Sequence, residues 1–323
     1  MIQVGILITQ HYKLLSVAAI LDVFETANKI KSDAGLPAPF TLHLLSASRP
    51  GEIGAEAFFG HPLQSIHDEV APDLILLPSF AAMDIKKAVQ ENRAFIPWLK
   101  KQFQNDAEIA SFCTGAFLFA ASGLLDGKAA TTHVDACNAF STAFPAVILQ
   151  PDKTVTEDGK LFTSGGATSS FHLLLHLVHR HCGKEMAVRL AKVFAIDMDR
   201  HKQAYFSTFY PSRDHDDDLV ATAQEKIEAN YQDTGTIEEM IKDIPSSRRN
   251  IVRRFKQVTG ITPIEYLQHT RVEAAKKLLL QTRKQMTEVI LHSGYNDPKA
   301  FRKIFRKTVG MTPSEYREKF QLR

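Results

Sequence analysis

The sequence predicts an α/β sandwich built on a mostly parallel sheet, followed by an all-α domain with two helix-turn-helix motifs. Over the first two-thirds of the chain, short apolar runs alternate with longer segments of helical spacing, as parallel strands covered by helices would. After Leu219 the pattern is almost wholly helical, and two stretches there repeat one another at a constant spacing. The 323 residues suit two domains, and 44% apolar with 23% charged residues excludes a mainly disordered or fibrous chain.

Taken in order, the candidate strands are Val4–Thr9, Phe40–Ser46, Leu74–Leu77 and Glu108–Phe112, with shorter ones at Val147–Leu149, Val155–Glu157 and Leu161–Thr163. The candidate helices are Leu15–Lys29, Asp84–Asn92, Ala94–Asn105, Gly115–Ser122, Val134–Phe144 and Ala167–His181. The opening MIQVGILITQ lacks a basic segment before its apolar run, so it reads as a first strand and not as a signal peptide. Ile109 to Leu125, the longest stretch without a charged residue or histidine, is shorter than the about 20 residues of a membrane span and broken by Cys-Thr-Gly and Ser-Gly. No membrane partner is expected. Cys113, Cys137 and Cys182 are irregularly spaced, which favours reduced thiols in a cytoplasm over disulfides or a thiolate metal site.

The net charge of +3 hides an asymmetry. Residues 219–323 carry 20 Lys and Arg against 12 Asp and Glu, whereas residues 1–218 carry 19 against 24. A domain of net +8 behind one of net −5 implies that only the C-terminal part meets a polyanion. The tract PSRDHDDD, Pro211 to Asp218, closes the acidic part. The expected organisation is therefore a first domain at 1–205, a linker at 206–218 and a second domain at 219–323.

Within the basic part, Phe255, Gly260, Thr262, Pro263, Glu265 and Tyr266 recur fifty residues later as Phe305, Gly310, Thr312, Pro313, Glu315 and Tyr316. Each copy reads as a short helix, a turn, a basic helix and Gly-x-Thr-Pro-x-Glu-Tyr. The first uses Ile237–Asp243 and Ser247–Val258; the second uses Met286–His292 and Asp297–Val309. Ile251 with Phe255, and Phe301 with Phe305, are four apart and face inward. That leaves Arg248, Arg249, Asn250 and Arg253 outward in one copy, and Asn296, Lys299, Arg302, Lys303 and Arg306 in the other. Such cations neutralise phosphates, and Arg or Asn can pair with base edges, so these nine are the candidate contacts to a double-stranded DNA operator. Pro263–Leu280 would be the spacer between two recognition helices entering successive major grooves, about 34 Å apart.

The segment 225–320, through SSRRNIVRRFKQVTGITPIEYL, RVEAAKKLLL and SGYNDPKAFRKIFRKTVGMTPSEYR, resembles the DNA-binding domain of AraC/XylS-type transcription regulators. It departs from that pattern at Pro245, where a turn glycine is usual, and at Ile241 and Ile290, where alanine is usual.

In the acidic part, Ile109-Ala-Ser-Phe-Cys113-Thr-Gly-Ala is a strand, a cysteine and a helical run, which places Cys113 at the sheet's C-terminal edge, where a helix N-terminus favours its thiolate. An inert buried cysteine is the competing reading. Ser164, Gly165 and Gly166 could offer backbone N–H groups to an anion, or could be small for packing alone. His172, His176 and His179 share one helical face at a zinc-like spacing, but with no acidic group nearby they read as ordinary histidines, so no metal is expected.

Residues 1–205 resemble the PfpI-type, class I glutamine amidotransferase-like domain that precedes AraC-type domains in GlxA-like regulators. The stretches carrying this are FCTGAFLFAASGLLDGKAATTHV, LFTSGGATSSFHLLLHLV and DRHKQAYF. The resemblance implies a flavodoxin-like sandwich, Cys113 at the nucleophile position and His133 as its neighbouring histidine. It also puts Ser16 where the superfamily's catalytic aspartate stands, Ala19-Ile20 for Gly-Pro, and His172 for another aspartate, while Asp22, six residues further along the helix, reads as structural, with a displaced partner as the alternative. With that carboxylate missing, the expectation is a sensor without catalysis or cofactor, forming a homodimer and binding a small-molecule effector near Cys113, Thr114, His133, Ser164, Gly165 and Gly166. A cysteine-dependent hydratase or amidase, or a thiol redox sensor, is the alternative.

Overall fold

The computed structural model describes the chain except for residues 49–59, 69, 82–83, 167, 200–202, 210, 212, 214 and 322–323. Ala167, the expected start of one helix, part of DRHKQAYF and part of the 206–218 tract therefore lie outside the described residues. The chain divides into two units, Met1–Gln203 and Ala204–Arg323.

In the first unit, β1 (Ile2–Leu7), α1 (Leu14–Asp33), β2 (Phe40–Ser46), β3 (Leu63–Ser65) and β4 (Leu74–Leu77) are followed by α2 (Ile85–Glu91), α3 (Phe95–Gln104) and β5 (Glu108–Phe112). Then come α4 (Ala116–Ala121), β6 (Ala129–Ala130), α5 (Cys137–Ala143), β7 (Ile148–Leu149), β8 (Val155–Asp158), β9 (Leu161–Ser164), α6 (Ser169–Cys182) and α7 (Lys184–Val193). Seven strands form one sheet in the order β3-β2-β1-β4-β5-β9-β8, parallel throughout except for the β8–β9 hairpin. β6 and β7 pair separately. The inner strands are apolar on both faces because helices cover both. On one side α1, α6 and α7 bury Ile20, Phe24, Leu174 and Leu190 against Val4, Leu44 and Phe112. On the other, Leu99, Phe119 and Phe140 pack against Leu7, Ile75 and Ile109.

The second unit holds α8 (Asp218–Asn230), α9 (Ile237–Ile241), α10 (Arg248–Thr259), α11 (Pro263–Gln281), α12 (Met286–His292), α13 (Pro298–Val309) and α14 (Pro313–Phe320). The repeated Gly-x-Thr-Pro-x-Glu-Tyr has a physical reason at each position. Gly260 and Gly310 end α10 and α13 in the left-handed region, at φ +79° and +83°, where a side chain would be strained. Thr262 and Thr312 then cap the next helix, accepting from the backbone of Glu265 and Glu315, whose carboxylates reach back to the threonine N–H groups. Pro263 and Pro313 occupy the first helical turn, where no N–H is needed. Tyr266 and Tyr316 close the motif with their rings edge-on to Phe255 and Phe305, at 5.2 and 5.8 Å. Ile241 and Ile290 are buried in the two cores, so the bulky residues are absorbed by packing.

Parts of the tract read as a linker fold with this second unit. Lys276, buried on α11, donates to the carbonyl of Ser207 at 2.6 Å; Phe209 stacks on His269; Asp217 caps α8 and pairs with Arg254 at 2.8 Å. Among the described residues, no helix is long and apolar enough to cross a membrane.

Candidate nucleic-acid interface and cysteine site

Each basic helix is set by its own sequence. Ser247 caps α10 through the Asn250 N–H, and Asp297 caps α13 through the Lys299 N–H, with Pro298 following. Ile251 and Phe255, like Phe301, Phe305 and Val309, turn one face inward. Arg248, Arg249 and Arg253 on α10, and Asn296, Lys299, Arg302, Lys303 and Arg306 at the start of and along α13, are exposed. The expectation of an outward Asn250 is corrected: it is half-buried, because its side-chain amide donates to Ser246 Oγ at 2.9 Å. Its carbonyl oxygen accepts from Arg253 at 3.0 Å. Arg248 pairs with Glu238 of α9 across the turn. Lys256 and Lys307, exposed on the same helices, were not among the nine; Lys256 lies fifty residues before Arg306, so the duplication itself was the signal for it.

In the first unit, Cys113 occupies the turn between β5 and α4 with φ +54°, a strained value for a side chain. The turn is tight because Gly115 follows: a Cβ there would lie 2.5 Å from the Pro78 carbonyl oxygen. Thr114 Oγ1 accepts from the Phe80 N–H at 2.9 Å, and Thr132 Oγ1 donates to the Cys113 carbonyl at 3.0 Å. The thiolate expectation is corrected. Cys113 is only 3% exposed, and burial raises its pKa more than the Thr114 N–H and the Lys13 ammonium lower it. The α4 helix that follows, six residues long, is too small a dipole to reverse this.

Ser16, at the expected aspartate position, is buried and accepts from the Ser79 N–H at 3.1 Å. His133 and Gly166 do meet: a Cβ on Gly166 would stand 3.2 Å from the imidazole. Burial lowers the His133 pKa against the raising effect of Asp135, so the ring is held neutral. The anion-binding expectation for the 164–166 loop is also corrected. The Gly165 N–H donates to the Thr154 carbonyl, and the Gly166 N–H donates to Gln203 Oε1, both at 2.9 Å. Gln203, which sequence reasoning passed over, fills the space that a Gly165 side chain would need and also donates to the carbonyls of Thr132 and Pro151. The loop glycines thus serve packing, while Ser164 Oγ is buried with no hydrogen-bond partner among the described residues.

His172, His176 and His179 line a groove of about 280 Å³. Acidic groups do approach this helix, contrary to expectation: Glu157 meets His176 at 2.8 Å and Glu108 meets His181 at 2.9 Å. Among the described residues no cluster of His, Cys, Asp and Glu is arranged to hold a metal.

Residues 4–180 match the family model described as the DJ-1/PfpI family. The chain belongs to the DJ-1/PfpI family. In this member the family domain is followed by a second match, to a helix-turn-helix domain, over residues 242–319. Among curated relatives, the HTH-type transcriptional regulator GbdR of Pseudomonas aeruginosa is 25% identical, covering 98% of this chain and 84% of its own. CdhR of the same organism, likewise a regulator, is 29% identical over 69% of this chain and 67% of its own. GlxA of Rhizobium meliloti is 24% identical over 65% of each. This DJ-1/PfpI chain thus combines its flavodoxin-like unit with an AraC-type helix-turn-helix unit, as relatives named as transcription regulators do.

Proposed function

We propose that the protein regulates transcription by binding double-stranded DNA through α10 and α13, under control of a small metabolite bound by its DJ-1/PfpI unit. The observation that carries the reading is the duplicated arrangement of two basic helices, each held by the same buried aromatic and each presenting cations to solvent. Arg249, Arg253, Lys299, Arg302, Lys303 and Arg306 are the proposed contacts to phosphates and bases, with Arg248, Asn250 and Asn296 beside them.

The first unit acts as a sensor and a homodimerisation domain rather than as an enzyme. Two features support this. The hydroxyl at position 16 accepts a backbone hydrogen bond and cannot serve as the superfamily's carboxylate would, and Cys113 is kept as a thiol. The effector site we assign to the sheet's C-terminal edge, around Cys113, Thr114 and His133, with Ser164, Gly165 and Gly166 as its floor. The three free cysteines suit a cytoplasmic protein.

Binding of a fluorescent duplex tests the DNA reading: Arg302→Ala or Lys303→Ala weakens it and flattens its salt dependence, and an unchanged slope would remove these residues from the phosphate contacts. For the sensor, a metabolite that binds two states of the protein with different affinity must shift operator affinity or promoter output. A broad metabolite panel that moves neither would end the sensory reading. Turnover abolished by Cys113→Ala would restore the enzyme reading.

A further inference from the structure

The duplication provides an internal control for the first motif. The two N-caps of the basic helices, Ser247 and Asp297, correspond, so Arg248 corresponds to Pro298. The capping boxes of α9 and α12, Thr236 with Glu239 and Gln285 with Glu288, correspond too, so Glu238 corresponds to Thr287. The second motif therefore has an uncharged pair where the first has a carboxylate joined to a guanidinium. Packing does not demand the difference, since Arg248 is exposed, Glu238 is only half-buried, and both cores close without them. An acidic group beside a recognition helix opposes the general attraction to phosphate.

The rest of α10 is pre-set in the same manner. Asn250 is tied to Ser246, and the Arg253 guanidinium donates to Asn250 and, at 3.4 Å, to Gln257. Among the described residues no such side-chain hydrogen bond is found for Lys299, Arg302 or Lys303 of α13, and Arg306 has the Glu315 carboxylate near it.

We propose that Glu238 is a specificity-setting residue: by holding Arg248 at the head of α10 it withdraws one cation from non-specific phosphate binding and orients that guanidinium for the cognate site. This rests on the reading that α10 contacts DNA. An Arg fork gains selectivity when its direction is fixed before binding, because less rotamer freedom is lost on contact. An exposed ion pair is weak enough for the cognate site to compete for it. Glu238 is a positioning residue, acting through Arg248.

The test uses the full chain, a duplex recovered by selection from a random-sequence pool, and a shuffled duplex of the same composition. Glu238→Gln should tighten binding to the shuffled duplex several-fold and steepen its log–log salt slope by about 0.9, one further phosphate contact. Binding to the selected duplex should gain less, so the ratio of the two affinities falls. In an Arg248→Gln background the same change should have no effect. Unchanged slope and ratio would overturn the proposal, and so would an equal effect of Glu238→Gln with and without Arg248, which would make the carboxylate a generic repulsive charge. Failure of the DNA reading itself looks different: no sequence is enriched, and Arg253→Ala and Arg302→Ala leave binding untouched.

Discussion

Arg271 Nε donates to the backbone carbonyl of Tyr231 at 2.8 Å, joining α11 to the chain that enters the first helix-turn-helix motif. Its Nη2 donates to the Asp233 carbonyl at 2.6 Å, and its guanidinium lies 5.3 Å from the ring centre of Tyr295 in the second motif's turn. The helix expected to be a spacer therefore fastens both motifs through one side chain.

Replacing Arg271 by alanine removes two charge-assisted hydrogen bonds and leaves two carbonyls without that donor. The expected loss of stability is about 2–4 kcal/mol. Arg271→Lys should recover only part of it, because one ammonium does not span both carbonyls as the guanidinium fork does. Denaturant unfolding of the two variants checks this, and a loss within about 0.5 kcal/mol for alanine would contradict it.

Gly294 and Gly260 both have positive φ, at +84° and +79°, yet they should respond differently to alanine. A Cβ at Gly260 meets nothing within 4 Å, so only the left-handed backbone is penalised, at about 1–2 kcal/mol. At Gly294 it would lie 2.1 Å from the Tyr231 carbonyl oxygen, and backbone must move. Gly294→Ala should therefore be clearly the more destabilising in thermal unfolding; equal losses would mean the turn is not held against Tyr231.

Acid stability should depend on Glu108. Burial raises its pKa, but hydrogen bonds from His181 and Arg180 outweigh that and hold the carboxyl below its ordinary value of 4.5. A carboxyl depressed in the folded state contributes stability that is present above the unfolded pKa and is lost as pH falls through the folded one. Glu108→Gln should cost about 1–3 kcal/mol at neutral pH, with the gap to wild type closing as pH drops below 4.5. A gap independent of pH would contradict the assignment.

Thiol labelling should find Cys182 before Cys113. The first is half-buried, whereas the second is buried, with its pKa raised by that burial. Mass spectrometry after brief alkylation at neutral pH measures the order, and prior modification of Cys113 would favour the redox-sensor alternative.

The inner strands were legible because they are covered on both faces and read as unbroken apolar runs; β2, β4 and β5 fall on Phe40–Ser46, Leu74–Leu77 and Glu108–Phe112 as expected. β3 and β6, three and two residues long, are too short to show a period, and α7 was missed because alanines form half of its buried stripe. The basic faces of α10 and α13 were legible because aromatics four apart determine which residues turn outward. What the sequence did not show were meetings of distant residues: Gln203 closing the space beside Gly165, Glu238 reaching Arg248 across a turn, and the burial that makes Cys113 a thiol. Each depends on three-dimensional packing rather than on local pattern.

The central claim, that one chain reads DNA with two recognition helices, is tested most directly by footprinting a selected duplex with the full chain. Two protected major-groove segments on one face of the duplex, about 34 Å apart, are expected, with Arg253→Ala weakening one and Arg302→Ala the other. A single protected segment weakened equally by both substitutions, or no protection at all, would contradict it.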